Sequence, residues 1–164
     1  MRVPHIYLET SVFNFAFSDQ SPEKQRHTLE LFKEIKQGKY RPFTSQYVVE
    51  ELSAAPEPKR SSMTRLITEY GIETLPGNDE SVRLAALYVS EGVIPQKYLA
   101  DALHIALATV SDMNVIVSYN FKHIVKLKTI MMTGIINKRE NYHELMILSP
   151  TEIIECVGGD GDDQ

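Results

Sequence analysis

Short apolar runs alternate with longer amphipathic segments along the chain, and this alternation predicts strands and helices in turn. The run from Asn114 to Tyr119 is almost continuously apolar, as expected for a strand buried on both faces of a parallel sheet. Strands that alternate with helices predict an α/β fold with a mostly parallel central sheet flanked by helices. Five strands are predicted: HIYLE (5–9), YRPFTS (40–45), IETLP (72–76), NVIVSY (114–119) and MILS (146–149).

Capping residues, prolines and glycines mark where the helices begin and end. One helix has Ser21 at its N-cap, Pro22 at its first position and Gly38 beyond its end. Its apolar stripe is predicted to consist of Leu29, Leu31, Phe32 and Ile35. The segment that follows Lys122 fits neither pattern clearly. Further helices are predicted over 45–55, 61–71, 79–92 and 94–113, and after a capping box formed by Ser149 and Glu152.

Length and composition are typical of one compact domain. The 164 residues contain no repeat and no linker, so we expect a single domain over 1–157 and a disordered Gly- and Asp-rich tail over 158–164. The net charge of −5 excludes a global basic field for nucleic acid, although a local basic rim stays open. The N-terminus lacks the long apolar region of a signal peptide, and no apolar run approaches a membrane-spanning length. We therefore expect a cytoplasmic protein without membrane contact.

Four polar side chains occupy positions at which a ligand site is expected. Glu9 and Asn120 follow predicted strands, and ligands of parallel sheets bind beyond the carboxyl ends of the strands. Glu51 and Asp101 lie beside apolar helix positions, where a carboxylate is costly to bury unless it is paired or bound to a metal. An oxygen-rich site of this kind suits a hard divalent cation, so Mg²⁺ or Mn²⁺ is the expected cofactor.

Four motifs carry a family resemblance: IYLETSVFN (6–14), TSQYVVEEL (44–52), YLADALHIALA (98–108) and VIVSYNFKHI (115–124). In order and spacing they resemble the motifs of the PIN-domain nucleases, and in particular toxins of the bacterial VapBC type. The resemblance extends from about Ile6 to Ile154. It implies a Rossmann-like α/β sandwich and a metal-dependent endoribonuclease that hydrolyses single-stranded RNA, as the toxin of a toxin–antitoxin pair.

The resemblance also implies which residues form the site. The catalytic and metal-binding positions match Glu9, Glu51, Asp101 and Asn120, with Glu50 as the alternative to Glu51. The supporting positions match Thr10, Ser11 and Ser118, with His104 as a neighbour of the metal ligands. Two positions depart from the family pattern, because Glu9 and Asn120 stand where Asp is usual. Three carboxylates suit one divalent ion, and the number of ions stays open.

Simpler interpretations exist for most of these residues. Glu9 can be an ordinary helix-capping acid, Asn120 a turn residue, and His104 either a metal ligand or a core histidine. Tyr119 and Phe121, which flank Asn120, are expected to pack in the core rather than to stack on bases. Two interpretations stay open for a last group of residues, which can form a basic rim for RNA phosphates or an ordinary solvated surface: Lys122, His123, Lys126 and Lys128.

Function therefore has more than one interpretation. The leading hypothesis is the ribonuclease, with an antitoxin protein as its partner. A catalytically impaired PIN-like module that binds RNA or a protein is the main alternative, and a DNA nuclease is a third. A homodimer is expected from the resemblance and from four apolar residues without a clear core role: Ile130, Met131, Met132 and Ile135.

Overall fold

A computed structural model describes residues 2–154 and shows one central sheet of five parallel strands. The first strand along the chain lies at the centre of the sheet, between the second and the fourth, and the third and fifth strands form the two edges. This arrangement confirms the predicted α/β fold with helices around a parallel sheet. The strands are β1 (His5–Leu8), β2 (Arg41–Ser45), β3 (Glu73–Leu75), β4 (Val115–Val117) and β5 (Met146–Leu148).

Seven helices that lie wholly within residues 2–154 connect and flank the strands, and two of them, the first and the last of the seven, were not predicted from the sequence. The first is a short helix that begins directly after β1, and the last occupies the segment after Lys122 that fitted neither pattern. A 3-10 turn, Gln96–Tyr98, leads into the sixth helix, and another helix begins at residue 150 and continues to 154. The seven are α1 (Thr10–Phe15), α2 (Pro22–Lys36), α3 (Gln46–Ser53), α4 (Lys59–Glu69), α5 (Asp79–Ser90), α6 (Leu99–Val110) and α7 (Leu127–Arg139).

The core lies on both faces of the sheet, around its central strand. Ile6, Tyr7 and Leu8 of β1 are completely buried, which requires helices above and below them. Strand β3 forms one edge of the sheet, and its Glu73 is exposed and pairs with Arg41. The apolar faces of the helices therefore cover the centre of the sheet, while polar side chains occupy this edge.

The buried face of α2 differs from the predicted stripe at one of its four positions, and it also includes Glu34. Leu29 is 50% exposed, and Thr28 takes its place among the buried residues Leu31, Phe32 and Ile35. Thr28 fits the helical spacing of these positions, and its hydroxyl donates a hydrogen bond of 2.7 Å to the carbonyl of Lys24. A polar side chain can therefore occupy a core position because its donor is satisfied within the helix.

Two of the predicted helix caps can be compared with the structure. The Ser149 hydroxyl accepts a 3.2 Å bond from the Glu152 N–H, and the Glu152 carboxylate accepts a 2.9 Å bond from the Ser149 N–H. The predicted capping box is therefore confirmed. Ser21 does occupy the N-cap of α2, but its side chain makes no capping hydrogen bond.

Strands β1 and β4 are neighbours, and the chain order of the sheet reverses between them. The Glu9 N–H donates a 3.1 Å hydrogen bond to the Val117 carbonyl, which continues the β1–β4 pairing one residue beyond β1. The residues that follow the two strands therefore lie side by side. A reversal of this kind opens a crevice at the carboxyl edge of a parallel sheet, where ligands of such folds bind.

No helix within residues 2–154 has the length and apolar character required to cross a membrane. The end of the predicted domain, 155–157, and the predicted disordered tail, 158–164, lie outside the described residues.

Candidate metal centre

Glu9 is held rigidly at the crevice by hydroxyl groups from two directions. It is 5% exposed and forms the N-cap of α1. Its Oε1 accepts hydrogen bonds from the Ser11 hydroxyl at 2.5 Å, the Ser11 N–H at 3.2 Å and the Ser118 hydroxyl at 2.6 Å. Within the described chain no hydrogen bond reaches Oε2, so this second oxygen keeps its full capacity to bind a cation.

The supporting hydroxyls are themselves anchored to the backbone after β4. The Tyr119 N–H donates to the Ser11 hydroxyl at 2.8 Å, and the Asn120 N–H donates to the Ser118 hydroxyl at 2.9 Å. Thr10, which the resemblance also places beside Glu9, has a buried hydroxyl without a hydrogen-bond partner among residues 2–154. Ser11 and Ser118 orient Glu9 in this structure, and Thr10 does not.

Glu51 reaches the same crevice from α3 and is held there by His104 of α6. Its Oε1 lies 2.6 Å from His104 Nε2. Glu9, Glu51 and His104 each have a potential ligand atom within 4.8 Å of the others. Glu50, the alternative to Glu51, is exposed and lies 3.5 Å from the Gln46 side chain instead. The structure therefore brings Glu51 to the crevice and leaves Glu50 at the surface.

A buried hydrogen-bonded chain continues from His104 into the core. His104 Nδ1 lies 2.7 Å from the Tyr7 hydroxyl, which lies 2.6 Å from the Ser45 hydroxyl. The Val48 N–H donates to the Ser45 hydroxyl at 3.2 Å, so the chain ends at the N-cap of α3. Helix α3 thus carries Glu51 and also anchors, through Ser45 and Tyr7, the histidine that holds Glu51.

The chemistry of the groups in this chain determines where its protons lie. A carboxylate can only accept, so His104 Nε2 carries a proton that it donates to Glu51. Nδ1 then accepts from Tyr7 when the ring is neutral, or donates to it when the ring is charged. Both ring nitrogens are engaged, and a protonated nitrogen cannot bind a metal. His104 is therefore better suited to position Glu51 than to serve as a ligand itself.

Opposing effects act on the charge state of His104. Complete burial lowers the pKa of its imidazole, but the hydrogen bond to Glu51 and the negative charges of Glu9, Glu51 and Asp101 outweigh burial, so the pKa is raised above its usual value. Burial, with smaller contributions from the charges of Glu9 and Glu51, raises the pKa of the Tyr7 hydroxyl far above its usual range. Tyr7 therefore stays a neutral donor and acceptor at any accessible pH.

Asp101 lies in the first turn of α6 and carries a carboxylate that is only 17% exposed. Burial raises the pKa of Asp101, and the charge of Glu9 raises it further. His104, His123 and a hydrogen bond from Asn120 act in the opposite direction without cancelling the rise. Asp101 therefore lies close enough to Glu9 for their charges to interact, outside the group formed by Glu9, Glu51 and His104, whose potential ligand atoms lie within 4.8 Å of one another.

His123 is a partner of Asp101 that the sequence did not indicate. Its Nδ1 lies 3.1 Å from Asp101 Oδ2, and its ring stacks on Tyr98 with centroids 3.8 Å apart. These contacts take His123 out of the predicted basic rim and place it against the acidic crevice. Lys122 and Lys126 are exposed, so they remain available for such a rim.

Asn120 contributes to the crevice mainly through its amide group. Its Oδ1 accepts a 3.0 Å hydrogen bond from the His123 N–H, which identifies this atom as the oxygen. The amide nitrogen is then the group that donates the hydrogen bond to Asp101. Asn120 is therefore both a turn residue after β4 and a neighbour of Asp101, and its oxygen keeps one lone pair for further contacts.

A separate cavity on the molecule has different chemistry. A cavity of about 730 Å³ lies at the amino ends of β1, β4 and β5, on the opposite edge of the sheet, beside His5 and Asn114. Its acids, Asp112 and Glu144, are both exposed. Carboxylates that converge at short distance characterise the crevice and not this cavity, so we place the functional site at the crevice.

The donors at the crevice fit a hard divalent cation. Glu9 and Glu51 each keep one carboxylate oxygen free of hydrogen bonds within the described residues, and Asp101 adds a third carboxylate. Mg²⁺ and Mn²⁺ prefer such oxygen ligands, and Mg²⁺ commonly uses one or two carboxylates together with water and substrate phosphate. The charge of Glu9 adds to the effect of burial in raising the pKa of Asp101, and a bound cation would offset that repulsion.

The upward pKa shifts predict how stability depends on pH. For both groups the folded chain binds protons more tightly than the unfolded chain. His104 therefore stabilises the metal-free protein fully below pH 6.5, its ordinary pKa, and this stabilisation is lost as the pH rises through the folded pKa. The raised pKa of Asp101 likewise makes the folded protein less stable as the pH rises above 3.8, the ordinary pKa of an aspartate. We expect the free energy of unfolding in urea with EDTA to fall from pH 6 to pH 9.

The matched comparison uses two histidine substitutions. His104→Gln should flatten this decline, whatever its effect on overall stability, whereas His143→Gln should leave the decline unchanged because the side chain of His143 is 86% exposed. Equal slopes for wild type and His104→Gln would contradict the assignment.

Comparisons with known proteins identify the fold and the family. Residues 6–126 match the family model of the PIN domain. A solved structure described as VapBC2 from Rickettsia felis bound to a DNA fragment from their promoter has a similar fold. The TM-score is 0.52 at 16% sequence identity, over 88% of this chain and 98% of that chain. No curated protein matches the sequence. Because the matched segment spans the crevice and most of the described sheet, the chain belongs to the PIN domain family.

Proposed function

We propose that this chain is a Mg²⁺- or Mn²⁺-dependent endoribonuclease that hydrolyses phosphodiester bonds of single-stranded RNA. The observation that carries the proposal is the approach of Glu9, Glu51 and His104 to within 4.8 Å at the point where the sheet order reverses, with the half-buried Asp101 close enough to Glu9 for their charges to interact. PIN domains are generally nucleases, and the field at the crevice attracts a divalent cation, which in turn attracts a phosphate. Glu9, Glu51 and Asp101 are the proposed ligands, and Asn120 is proposed to complete their surroundings.

Each side chain has a task that follows from its contacts. Ser11 and Ser118 fix one oxygen of Glu9, so the other oxygen is preoriented toward the cation. His104 holds Glu51 on the exposed side of α3 in one rotamer, and so reduces the entropy lost on binding. The Asn120 amide and His123 donate to Asp101, which keeps it near Glu9 despite their mutual repulsion. A bound divalent cation would activate water near neutral pH and offset the charge that develops on the phosphate.

The proposed partners extend the same hypothesis. The similar structure from Rickettsia felis is described as a toxin–antitoxin complex, which supports the proposal that this chain is a toxin with a protein antitoxin. A cytoplasmic location and a homodimer are proposed with it. The exposed apolar side chains of α7, which include Leu127, Met131 and Ile135, support a surface for a second copy.

One observation favours a second candidate, a catalytically impaired module that binds RNA or a protein. The oxygen of Asn120 is already bonded to the His123 N–H, and the side chain brings no negative charge. A site with this neutral position attracts a cation less strongly than an all-carboxylate site. Metal binding and cleavage distinguish the two candidates.

Divalent cations should raise the melting temperature of the protein. Binding to the folded state alone stabilises it by mass action, and a roughly tenfold excess of metal over its Kd should raise Tm by about 3–6 °C. Asp101→Asn should abolish this shift without lowering Tm in EDTA, because it removes a carboxylate whose charge is unfavourable in the metal-free protein.

Asp112→Asn is the matched control for this measurement. It is the same substitution at an exposed acid on the opposite edge, and Asn tolerates the positive φ of 58° found there. It should leave the metal-induced shift intact. A wild-type protein whose Tm does not respond to millimolar Mg²⁺ or Mn²⁺ would favour the impaired module.

Cleavage of a labelled single-stranded RNA should require Mg²⁺ or Mn²⁺ and stop in EDTA. Asp101→Asn should lower the rate by about a hundredfold or more, because it removes charge from the centre of the site. Asp112→Asn should cleave like wild type. Metal-independent cleavage, or equal rates for Asp101→Asn and wild type, would reject the proposed role of the crevice.

Substitutions at Asn120 test whether this position contributes to the site. Asn120→Asp adds a charge beside Asp101, so it should lower Tm in EDTA, tighten Mn²⁺ binding and leave cleavage equal or faster. Asn120→Ala removes the hydrogen bond to Asp101, so it should weaken Mn²⁺ binding and cleavage, but less than Asp101→Asn does. Calorimetric titration with Mn²⁺ and the RNA assay measure both effects. If Asn120→Ala changes neither, Asn120 is a turn residue only.

A further inference from the structure

A cluster of three aromatic rings and one lysine lies beside the acidic crevice. The rings belong to Phe15, Tyr119 and Phe121, and we call them, with Lys24, the aromatic platform. The ring centroids of Phe15 and Tyr119 are 4.7 Å apart, and those of Tyr119 and Phe121 are 6.4 Å apart. Lys24 Nζ lies 4.9 Å, 5.7 Å and 5.5 Å from the ring centres of Phe15, Tyr119 and Phe121.

The platform has a fixed base and an open face. The Tyr119 hydroxyl lies 2.8 Å from the Thr28 hydroxyl and donates a 2.9 Å bond to the Lys24 carbonyl, which anchors the buried ring to α2. Phe121, by contrast, is 49% exposed. Contiguous exposed apolar surface marks interaction sites more often than single exposed residues do, and Phe121 adjoins the rings of a rigidly held cluster.

Lys24 keeps its charge available at this surface. Its ammonium forms no ion pair with a carboxylate anywhere in residues 2–154, and its contacts are with ring faces. A cation over rings still carries its full charge and can also contact an anion from solvent. The platform therefore offers two features together: an aromatic face and an unneutralised positive charge.

The platform connects directly to the proposed metal ligands. Phe15 ends α1, the helix that Glu9 caps, and Tyr119 donates its N–H to Ser11, which holds Glu9. Phe121 follows Asn120, whose amide contacts Asp101. A single RNA strand with one phosphate at the crevice would thus place its neighbouring nucleotides over the platform.

We propose that the aromatic platform is a subsite for single-stranded RNA, in which Phe121 stacks on an unpaired base and Lys24 contacts an adjacent phosphate. The proposal rests on the proposed ribonuclease function and adds how the substrate is held. Single-stranded nucleic acid combines flat apolar bases with regularly spaced negative charge, as the platform requires. A basic protein segment would be repelled by Lys24, and an apolar segment would leave its ammonium desolvated without an anion.

The test measures binding without cleavage. Fluorescence anisotropy with a labelled single-stranded RNA of mixed sequence in EDTA gives Kd at several salt concentrations. Phe121→Ala should raise Kd by about tenfold, and Phe121→Tyr should restore it, because stacking requires only a ring. Lys24→Gln should raise Kd and reduce the dependence of log Kd on log salt by about 0.7, the value for one lost phosphate contact on a single strand.

Matched controls lie close to the platform but outside it. Phe17→Ala removes another exposed ring, 39% exposed, and Lys33→Gln removes an exposed lysine from the same helix as Lys24. Both should bind RNA like wild type. Equal losses in Phe17→Ala and Phe121→Ala would mean that apolar surface in general, and not the platform, binds RNA, and would overturn the proposal.

The remaining outcomes separate the platform from the proposed function. Metal-dependent cleavage with unchanged Kd and KM in Phe121→Ala and Lys24→Gln would overturn the platform and leave the ribonuclease intact. Specific loss of RNA binding in these variants, in a protein that cleaves nothing, would support the platform and reject the catalytic proposal.

Equal Kd for a DNA strand of the same sequence supports the platform, because stacking and phosphate contacts do not need the 2′-hydroxyl. Dissociation of a dimer by Phe121→Ala, seen by light scattering with RNA affinity unchanged, would assign the platform to a second copy and overturn the proposal.

Discussion

The parallel pairing of β1 with β4 is the constraint on which the site depends. It joins two segments separated by more than a hundred residues, and the Glu9 N–H bond to Val117 carries the pairing past the end of β1. The strand order reverses there, and such a reversal opens a crevice at the carboxyl edge of a parallel sheet. Glu9, Ser118 and Asn120 meet at that point. Glu51 reaches it from α3, which follows β2, and Asp101 comes from the first turn of α6, the helix that precedes β4.

Concentrating carboxylates at one edge creates an electrostatic problem that the surrounding side chains reduce without removing. Neutral hydroxyls bind one oxygen of Glu9, a buried histidine binds Glu51, and an amide and a second histidine bind Asp101. None of these groups replaces the charge of a cation, and the pKa of Asp101 remains raised. A folded state with such excess negative charge is stabilised by whatever positive charge enters it, which links stability to ligand binding at the same site.

The chain from Ser45 through Tyr7 to His104 shows how core and site are joined. Tyr7 is completely buried in the central strand, yet its hydroxyl serves the histidine that holds Glu51. A buried hydroxyl of this kind must be satisfied, and the same hydrogen bonds that satisfy it orient a functional carboxylate. Substitution of Tyr7 would therefore disturb packing and the site together, whereas the aromatic platform lies mainly at the surface and is separable from the core.

The sequence by itself determined the fold class and most of the helices and strands, which follow from apolar periodicity and capping residues. Polar side chains at strand ends and on apolar helix faces, together with the family resemblance, indicated the candidate residues of the crevice. The sequence did not show that Thr28 rather than Leu29 completes the buried face of α2, because the two are adjacent in the helix and the Thr28 hydroxyl is satisfied within it. Nor did it show that the Tyr7 hydroxyl contacts His104 at the site, since Tyr7 looks like any core residue of a strand.

The tertiary structure also decided the roles of Thr10, His104, His123 and the oxygen of Asn120. Each depends on which donor lies opposite which acceptor across segments distant in the chain, and hydrogen-bond partners at that range are a property of the packed fold and not of local sequence.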